Sequence, residues 1–222
     1  MKKNIKAKIC AALFLLAAFA LWTWAVSRVD VLPVGPQGSA VGFASVNRRF
    51  HQFTGVHWGI YTLTDWLGLI PIATAALFGL LGLCQWIRRK SLRKVDPSLF
   101  LLAGFYGAVM AAYVLFEIFP VNYRPVLIEG VLEASYPSST TLLMLTVLPT
   151  AALQLRGRIR SPLFRRCAVL LILLFAAVTV MGRLISGVHW ITDIIGGVLL
   201  SAGLVTLYDA LCSLIPDSKK PS

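Results

Sequence analysis

The chain has 222 residues, of which 58% are hydrophobic and only 14% are charged. Ordinary globular domains carry about 25% charged residues, so this composition excludes a soluble domain and predicts a chain that buries its apolar surface in a bilayer. The net charge of +12 does not indicate a nucleic-acid partner, because the basic residues stand in short runs between apolar stretches, which is a membrane pattern. The expected partners are membrane lipids.

Six apolar segments predict an all-α fold, a polytopic membrane bundle of six transmembrane helices in a single domain over residues 1–222. A helix needs roughly 20 residues to cross a bilayer, with a lower limit near 17. The first segment has a long apolar core and no clear small-x-small site before Arg28, so we expect an uncleaved helix and not a signal peptide. The predicted spans cover residues 9–26, 66–87, 97–116, 139–155, 167–182 and 190–215.

The loops between the spans differ in their content of Lys and Arg. Of the 21 basic residues, 16 fall at the N-terminus, after the second span, after the fourth span and in the tail at Lys219 and Lys220. The positive-inside rule therefore predicts that both termini are cytoplasmic, in a multi-pass protein of the cell (inner) membrane. The five basic residues on the other side are Arg28, Arg48, Arg49, Arg124 and Arg183.

Residues 27–65 form the longest outer loop, and they mix aromatic residues such as Trp58 with Arg48, Arg49 and His51. This mixture predicts an interfacial amphipathic helix within the loop. Two roles stay open for it: an aromatic anchor at the membrane surface, or a lip that meets a lipid head group.

Residues able to carry chemistry gather in the outer-face segment 117–193, most specifically at its end. His189 and Asp193 are four residues apart at the start of a helix, so they share one face with about 5–6 Å between their Cβ atoms. An Asp inside a membrane segment needs a partner. Here it can accept the imidazole N–H, fix the tautomer and leave the other nitrogen free to attack. The alternative is a purely structural His–Asp pair.

Arg124 and Arg183 lie on the same predicted side as this pair, and their planar donors suit phosphate oxygens, although a membrane arginine is often only a snorkelling anchor. Ser138, Ser139 and Thr140 immediately precede an apolar helix, where a hydroxyl residue commonly caps the helix. The free N–H groups and positive dipole end of a helix N-terminus also bind anions. Two arginines, helix N-termini and these hydroxyls would form a cradle for one phosphoryl group.

These motifs resemble the type 2 phosphatidic acid phosphatase superfamily, which also includes the vanadium haloperoxidases. The family signature is Lys-x6-Arg-Pro, then Pro-Ser-Gly-His, then Ser-Arg-x5-His-x3-Asp. The chain has Arg124-Pro125, then Pro137-Ser138-Ser139-Thr140, then Gly182-Arg183-x5-His189-x3-Asp193, and the likeness covers residues 66–210. The resemblance implies a membrane phosphatase with His189 as nucleophile, Asp193 as its orienter, and Arg124, Arg183 and Ser138 as phosphate ligands.

Two positions depart from the family pattern. By spacing, the family's Lys falls at Glu117, and its second His, which protonates the leaving group in the family, falls at Thr140. Threonine is a poor general acid, and loss of such an acid typically lowers the rate about 10²–10⁴-fold. His57 is an alternative source of that proton, although a simple interfacial histidine is the better interpretation of it.

The predicted function is metal-independent hydrolysis of a lipid phosphate or polyprenyl diphosphate at the outer face through a phosphohistidine. The alternative is a degenerate, non-catalytic relative that binds a lipid phosphate. No metal or other cofactor is expected, because the chain has only nine acidic residues and three histidines, without a His-x3-His pair that would bind zinc. A transporter is disfavoured, because the polar residues cluster at outer helix ends and not near the bilayer midplane.

Overall fold

The computed structural model describes residues 2–216, and within this range the chain forms eight α-helices joined by loops. The same residues contain no β-strand, only isolated antiparallel bridges in the loops, in agreement with the predicted all-α class. The helices are α1 (Lys2–Val26), α2 (Ala44–Thr54), α3 (Trp58–Leu67), α4 (Leu69–Arg89), α5 (Pro97–Ile118), α6 (Ser139–Arg156), α7 (Pro162–Ile185) and α8 (Ile191–Cys212).

Five helical segments are long and apolar enough to cross a membrane. One of them joins α3 and α4 into a run of 32 residues, so it starts at Trp58 and not at the predicted residue 66. The last part of the predicted outer loop is therefore helical and continues into α4. The five segments are Asn4–Val26, Trp58–Arg89, Pro97–Ile118, Pro162–Ile185 and Ile191–Cys212.

Helix α6, the predicted fourth span, differs from the other long helices. It has 18 residues with Pro149 inside it, and it is not one of the five segments with the length and hydropathy of a span. Most of its side chains are buried, and the hydroxyls of Thr146 and Thr150 donate to the carbonyls of Leu142 and Thr146 at 2.6 and 2.7 Å. These bonds satisfy polar groups inside an apolar bundle. A crossing of the membrane by α6 stays a prediction.

The apolar core forms around α6. Met144 and Leu148 of α6 lie in one cluster with Ala176 and Val180 of α7 and Ile194 of α8. Because hydrophobic residues of three helices meet here, α6 sits centrally, and its N-terminus is held at the same end of the bundle as the end of α7 and the start of α8.

Two glycines let α8 approach the chain near the start of α6 closely. A Cβ on Gly196 would lie 2.6 Å from the ring of Tyr136, and one on Gly197 would lie 2.9 Å from the side chain of Thr141. Both distances are shorter than real Cβ contacts, so larger residues would push the helix away. The two glycines make tight helix contacts of the kind common in membrane bundles.

The basic loops and the motif residues lie at opposite ends of the bundle. At one end, Arg158 after α6 pairs with Asp96 before α5, with an N–O distance of 3.4 Å. At the other end, Arg124 after α5 and His189 before α8 are 3.2 Å apart. Which end faces the cytoplasm stays a prediction, and the basic tail residues 219–220 lie outside the described range.

Helix α2 lies within the predicted outer loop, residues 27–65, and is amphipathic. Asn47 on one face is completely buried, whereas Arg48, Arg49 and Phe53 are exposed, the last to 88%. This is the pattern expected of an interfacial helix. Its location at the membrane surface stays a prediction.

Candidate active site

The loop between α5 and α6 folds back on itself and presents Arg124. An antiparallel bridge joins Tyr123 to Ala134, and the Arg124 N–H donates to the Glu133 carbonyl at 3.0 Å. The same turn brings the two side chains together, since Nε of Arg124 lies 2.9 Å from a Glu133 carboxylate oxygen. Arg124 is therefore buried but has one partly exposed anionic partner.

His189 ends the turn between α7 and α8, and Asp193 lies in the first turn of α8. Both are buried, and Nδ1 of His189 lies 3.7 Å from Oδ2 of Asp193. The two side chains are neighbours, but His189 precedes α8 and the distance exceeds that of a hydrogen bond, so donation of its N–H to Asp193 stays a prediction. Gly187 makes the turn possible, because its φ is +71° and a Cβ there would lie 1.9 Å from the carbonyl oxygen of Gly55.

The guanidinium of Arg124 contacts the other nitrogen of His189. Its NH1 group donates to Nε2 at 3.2 Å. Because a guanidinium only donates, Nε2 carries the lone pair and Nδ1 carries the proton, which is the tautomer that an orienting carboxylate requires. Burial and the positive charges of Arg124 and Arg183 hold the pKa of His189 well below its ordinary value. The imidazole is therefore neutral near pH 7, and its Nε2 lone pair accepts from the guanidinium of Arg124.

The carboxylate of Asp193 is fixed by two donors. Asn122 donates from its amide to Oδ1 at 3.2 Å, and the backbone N–H of Trp190 donates to Oδ2 at 3.0 Å. Asn122 is not among the residues predicted from the motifs, although it stands only two positions before Arg124. Only the contact of its amide with Asp193 in α8 reveals its role, and the sequence does not show that contact.

Asn122 also belongs to a buried network that ties the outer loop to the site. Its Oδ1 accepts from the Gly42 N–H at 3.1 Å. Asn47 of α2 donates to the Gly42 carbonyl at 2.7 Å and to the Thr192 hydroxyl at 2.9 Å. Both asparagines are completely buried. Helix α2 is thereby connected through side-chain amides to the residue next to Asp193.

Arg183 points toward α3. It is 1% exposed, its NH2 group lies 3.3 Å from Oδ1 of Asp65, and its NH1 group lies 3.4 Å from the Thr64 hydroxyl. The guanidinium also stacks 4.8 Å above the ring of Tyr61. Arg183 therefore affects His189 through its charge, while its direct partners belong to α3.

Ser138 acts as the cap of α6. Its hydroxyl oxygen accepts from the N–H of Thr141 at 3.4 Å and from the Thr141 hydroxyl at 3.1 Å. Its own N–H donates to the Asp193 carbonyl at 3.2 Å, which joins the second motif to the third. Ser139 is partly exposed at the first position of the helix. The side chain of Ser138 therefore serves the helix, and Ser139 offers the more accessible hydroxyl.

The two departures from the family pattern have definite surroundings. Glu117 is exposed and lines a small crevice together with Ser135 and Ser139. Thr140 is buried, and a Cβ on Gly68 would lie 3.7 Å from its methyl carbon, so the methyl group faces the junction of α3 and α4. A carboxylate therefore borders the second motif, and the position of the family's second histidine is filled by a packed threonine.

The other two histidines lie in the outer loop. His57 is exposed, and its Nε2 donates to the Thr54 carbonyl at 2.8 Å. His51 donates from Nε2 to the Gly187 carbonyl at 3.1 Å and packs against the ring of Trp190, with centroids 5.5 Å apart. Burial lowers the pKa of His51. The side chain that touches the His189 turn is therefore that of His51.

These contacts describe an end of a helical membrane bundle where a neutral, oriented imidazole lies beside a guanidinium and next to a helix N-terminus. Such a site can bind an anion and present a nucleophilic nitrogen to it. Among residues 2–216, no group of three or more His, Cys, Asp or Glu side chains is arranged to hold a metal ion.

A comparison with known protein families identifies the family of this chain. The family model of the PAP2 superfamily matches residues 97–211. This range includes Arg124, the second motif, His189 and Asp193. This match spans more than half of the chain. The protein belongs to the PAP2 superfamily, as the sequence motifs indicate.

A solved structure has the same fold. It is that of a transmembrane PAP2-type phosphatidylglycerolphosphate phosphatase from Bacillus subtilis, which aligns with a TM-score of 0.62 and 16% sequence identity. The alignment covers 93% of this chain and 98% of that one. A comparison with curated protein sequences finds no significant match. The chain is therefore a multi-pass membrane protein with the PAP2 fold.

Proposed function

We propose that this protein is a metal-independent phosphatase that hydrolyses a lipid phosphate or diphosphate through a phosphohistidine at His189. The observation that carries the proposal is the alignment of Arg124, His189 and Asp193. Nε2 of His189 accepts from Arg124 at 3.2 Å, and Nδ1 faces Asp193 at 3.7 Å. A neutral imidazole between a phosphate-binding cation and an orienting anion suits nucleophilic attack on phosphorus.

The first step transfers the phosphoryl group to the protein. An arriving phosphate attracts the guanidinium of Arg124 away from Nε2, which frees the lone pair for attack. The N–P bond forms as the P–O bond to the lipid breaks, and the lipid oxygen leaves with the bonding electrons. Asp193 stabilises the positive charge that develops on the ring, and its distance to Nδ1 shortens as the transition state forms.

The second step returns His189 to its starting state. Water attacks phosphorus, the N–P bond breaks, and inorganic phosphate leaves. Throughout, the charge on the phosphoryl oxygens is stabilised by Arg124, by the nearby charge of Arg183 and by the first N–H groups of α6 beside Ser139 and Thr140. Preorganised donors of this kind provide much of the catalysis in phosphoryl transfer.

The proposed substrate is a polyprenyl diphosphate. A phosphomonoester must expel an alkoxide, whose conjugate acid has a pKa near that of water, about 15.7. A diphosphate expels a phosphate monoester, whose relevant pKa is about 6. A site with Thr140 in place of a general acid therefore loses less rate on a diphosphate. The predicted outward orientation suits this class as well, because related enzymes on that face act on carrier lipids of wall synthesis.

Phosphate release from a panel of lipids tests the proposal. The purified protein should release phosphate from a polyprenyl diphosphate faster than from phosphatidic acid or phosphatidylglycerol phosphate, and it should do so in the presence of a chelator. His189→Ala should abolish release. His57→Ala is the matched control, since His57 is exposed and bonded to Thr54, and it should retain full activity. Full activity of His189→Ala would refute the phosphohistidine.

A second candidate function is a relative that binds a lipid phosphate without hydrolysing it. Two observations favour it: Arg183 is engaged by Asp65 and Thr64, and Thr140 faces Gly68 with a methyl group. This candidate predicts that a polyprenyl diphosphate and phosphatidic acid both bind while neither is cleaved. The phosphate-release panel therefore distinguishes the two functions.

A further inference from the structure

An apolar groove lies between α4, α6 and α7. Its volume is about 570 Å³, within the range of roughly 300–1,000 Å³ that is usual for ligand sites. Leu77, Leu148 and Phe175 are typical of its walls. Among the described residues that line it, only Arg158 is charged, and it lies at the end of the bundle opposite His189. The groove is therefore apolar along its length and basic at one end.

The length of the groove matches one leaflet of a bilayer. Its α4 wall runs from Ile70 to Leu81, which is about 16 Å along a helix that rises 1.5 Å per residue. Half of a hydrocarbon core about 30 Å thick is about 15 Å. A single extended acyl chain therefore has the length and the polarity to fill this groove.

On α4 and α7, the helix face that lines the groove continues to an arginine seven residues beyond a lining residue. Residues seven apart lie on nearly the same face of a helix. The pairs are Leu81 and Arg88 on α4 and Ile172 and Arg165 on α7, whereas Arg158, in the turn that follows α6, lines the groove itself. The apolar walls thus lead to three guanidinium groups at the same end of the bundle.

The three arginines differ in how far their charge is compensated. Arg158 lies 3.4 Å from a carboxylate oxygen of Asp96 and also contacts Gln154. Arg88 is exposed, and Arg165 donates to the Arg156 carbonyl at 3.5 Å. Within residues 2–216, neither Arg88 nor Arg165 forms an ion pair with a carboxylate. Two positive charges without a carboxylate partner among the described residues therefore lie about 10 Å along their helices beyond lining residues of the groove.

We propose that this groove binds one acyl chain of an anionic phospholipid from the leaflet opposite the His189 site, with the lipid phosphate at Arg88 and Arg165. Basic pockets between membrane helices are recognised binding sites for anionic head groups. A zwitterionic lipid carries a cation beside its phosphate. Because this cation is repelled by the arginines, the lipid gains less electrostatic binding free energy than an anionic one. This lipid is not a substrate, because its phosphate is a diester and lies at the other end of the bundle.

Native mass spectrometry of the detergent-purified protein tests the head-group contact. The protein is incubated with equal amounts of phosphatidylglycerol and phosphatidylcholine that carry the same acyl chains. We expect phosphatidylglycerol to be retained preferentially. The double variant Arg88→Gln/Arg165→Gln should lower that preference by about fivefold for each arginine removed. Arg28→Gln/Arg48→Gln removes the same charge elsewhere and should leave the preference unchanged.

A pair of phenylalanine substitutions on α4 tests the chain contact. Thr74 lines the groove, whereas Ala76 is exposed outside it. Thr74→Phe should abolish retention of phosphatidylglycerol, and Ala76→Phe should not. Equal retention of the two lipids by the unmodified protein, or equal retention by both phenylalanine variants, would overturn the proposal. So would a Thr74→Phe variant that keeps its phospholipid but cleaves long-chain substrates more slowly than short-chain ones, since the groove would then hold the substrate tail.

Discussion

NH1 of Arg124 donates to Nε2 of His189 at 3.2 Å, so the proposed nucleophilic atom is hydrogen-bonded to the proposed phosphate ligand. In this arrangement the lone pair of His189 is occupied until an anion draws the guanidinium away. The contact holds the ring in one orientation, and it protects the neutral imidazole from protonation, because the adjacent charge opposes a second one. Binding of the substrate phosphate to Arg124 would thus also free the Nε2 lone pair of His189 for attack.

The protonation of His189 predicts the pH dependence of turnover. Its pKa lies below the ordinary 6.5 because of burial and the charges of Arg124 and Arg183, so the free enzyme keeps a neutral imidazole as the pH falls through 6.5. We expect kcat/KM, corrected for ionisation of the substrate phosphate near pH 6, to stay level through pH 6.5 and to fall only at lower pH. An acid limb centred at or above pH 6.5 would contradict this prediction.

Asn122 should act as a positioning residue for Asp193. Asn122→Ala removes the donor to Oδ1, and hydrogen bonds to charged groups contribute about 1.5–3 kcal/mol, so we expect kcat to fall about tenfold or more with little change in KM. Asn47→Ala is the matched control, because Asn47 is equally buried but bonds Thr192 and Gly42. If both variants lose stability and activity equally, Asn122 is only structural.

Glu133 should weaken phosphate binding by competing for Arg124. The pair is partly exposed, and such pairs contribute at most about 1 kcal/mol, so Glu133→Gln should tighten inhibition by inorganic phosphate or vanadate about two- to fivefold. Glu129→Gln removes the same charge from the same exposed loop without that contact. Weaker inhibition in Glu133→Gln would mean that the carboxylate orients Arg124 productively.

Thr140 should set the preference between leaving groups. Thr140→His restores a general acid at the position of the family's second histidine, and we expect it to raise monoester activity more than diphosphate activity. The ratio of initial rates on phosphatidic acid and on a polyprenyl diphosphate measures this change. If the unmodified protein already prefers phosphatidic acid, another group supplies the proton, and His51, which touches the turn before His189, becomes the first residue to replace.

The orientation of the bundle can be tested with an impermeant thiol reagent. All four native cysteines would first be replaced, because Cys10, Cys84 and Cys167 are exposed. New cysteines at Ser45 and Val131, which are exposed at the proposed outer end, should be labelled in intact cells, and one at Arg93 should not. Labelling at Arg93 alone would reverse the orientation and refute an outward-facing site.

The sequence predicts those parts of the site that depend on local spacing. The four-residue interval from His189 to Asp193 keeps the two side chains close across the start of α8, although His189 itself precedes the helix, and the hydroxyl before α6 identifies the cap at Ser138. Composition and hydropathy likewise predict an all-α membrane bundle. These features need no knowledge of how distant segments meet.

The sequence does not predict the site contacts that join distant segments of the chain. Asn122 and Asn47 look like ordinary loop residues until α8 and the outer loop converge on them. The partners of Arg183 belong to α3, which the hydropathy pattern assigns to a loop because Tyr61, Thr64 and Asp65 interrupt its apolar run. Tertiary packing decides these positions, and no local pattern encodes it.

The contact between Gly55 and Gly187 has a consequence for the order of assembly. Both glycines have positive φ angles, of 68° and 71°, and the adjacent His57 N–H donates to the Ser186 carbonyl at 2.9 Å. The turn before His189 is thus built against a segment made early in synthesis, while α7 and α8 are made last. The turn that carries His189 can therefore reach this geometry only after α7 and α8 pack against residues 55–57, which are synthesised before them.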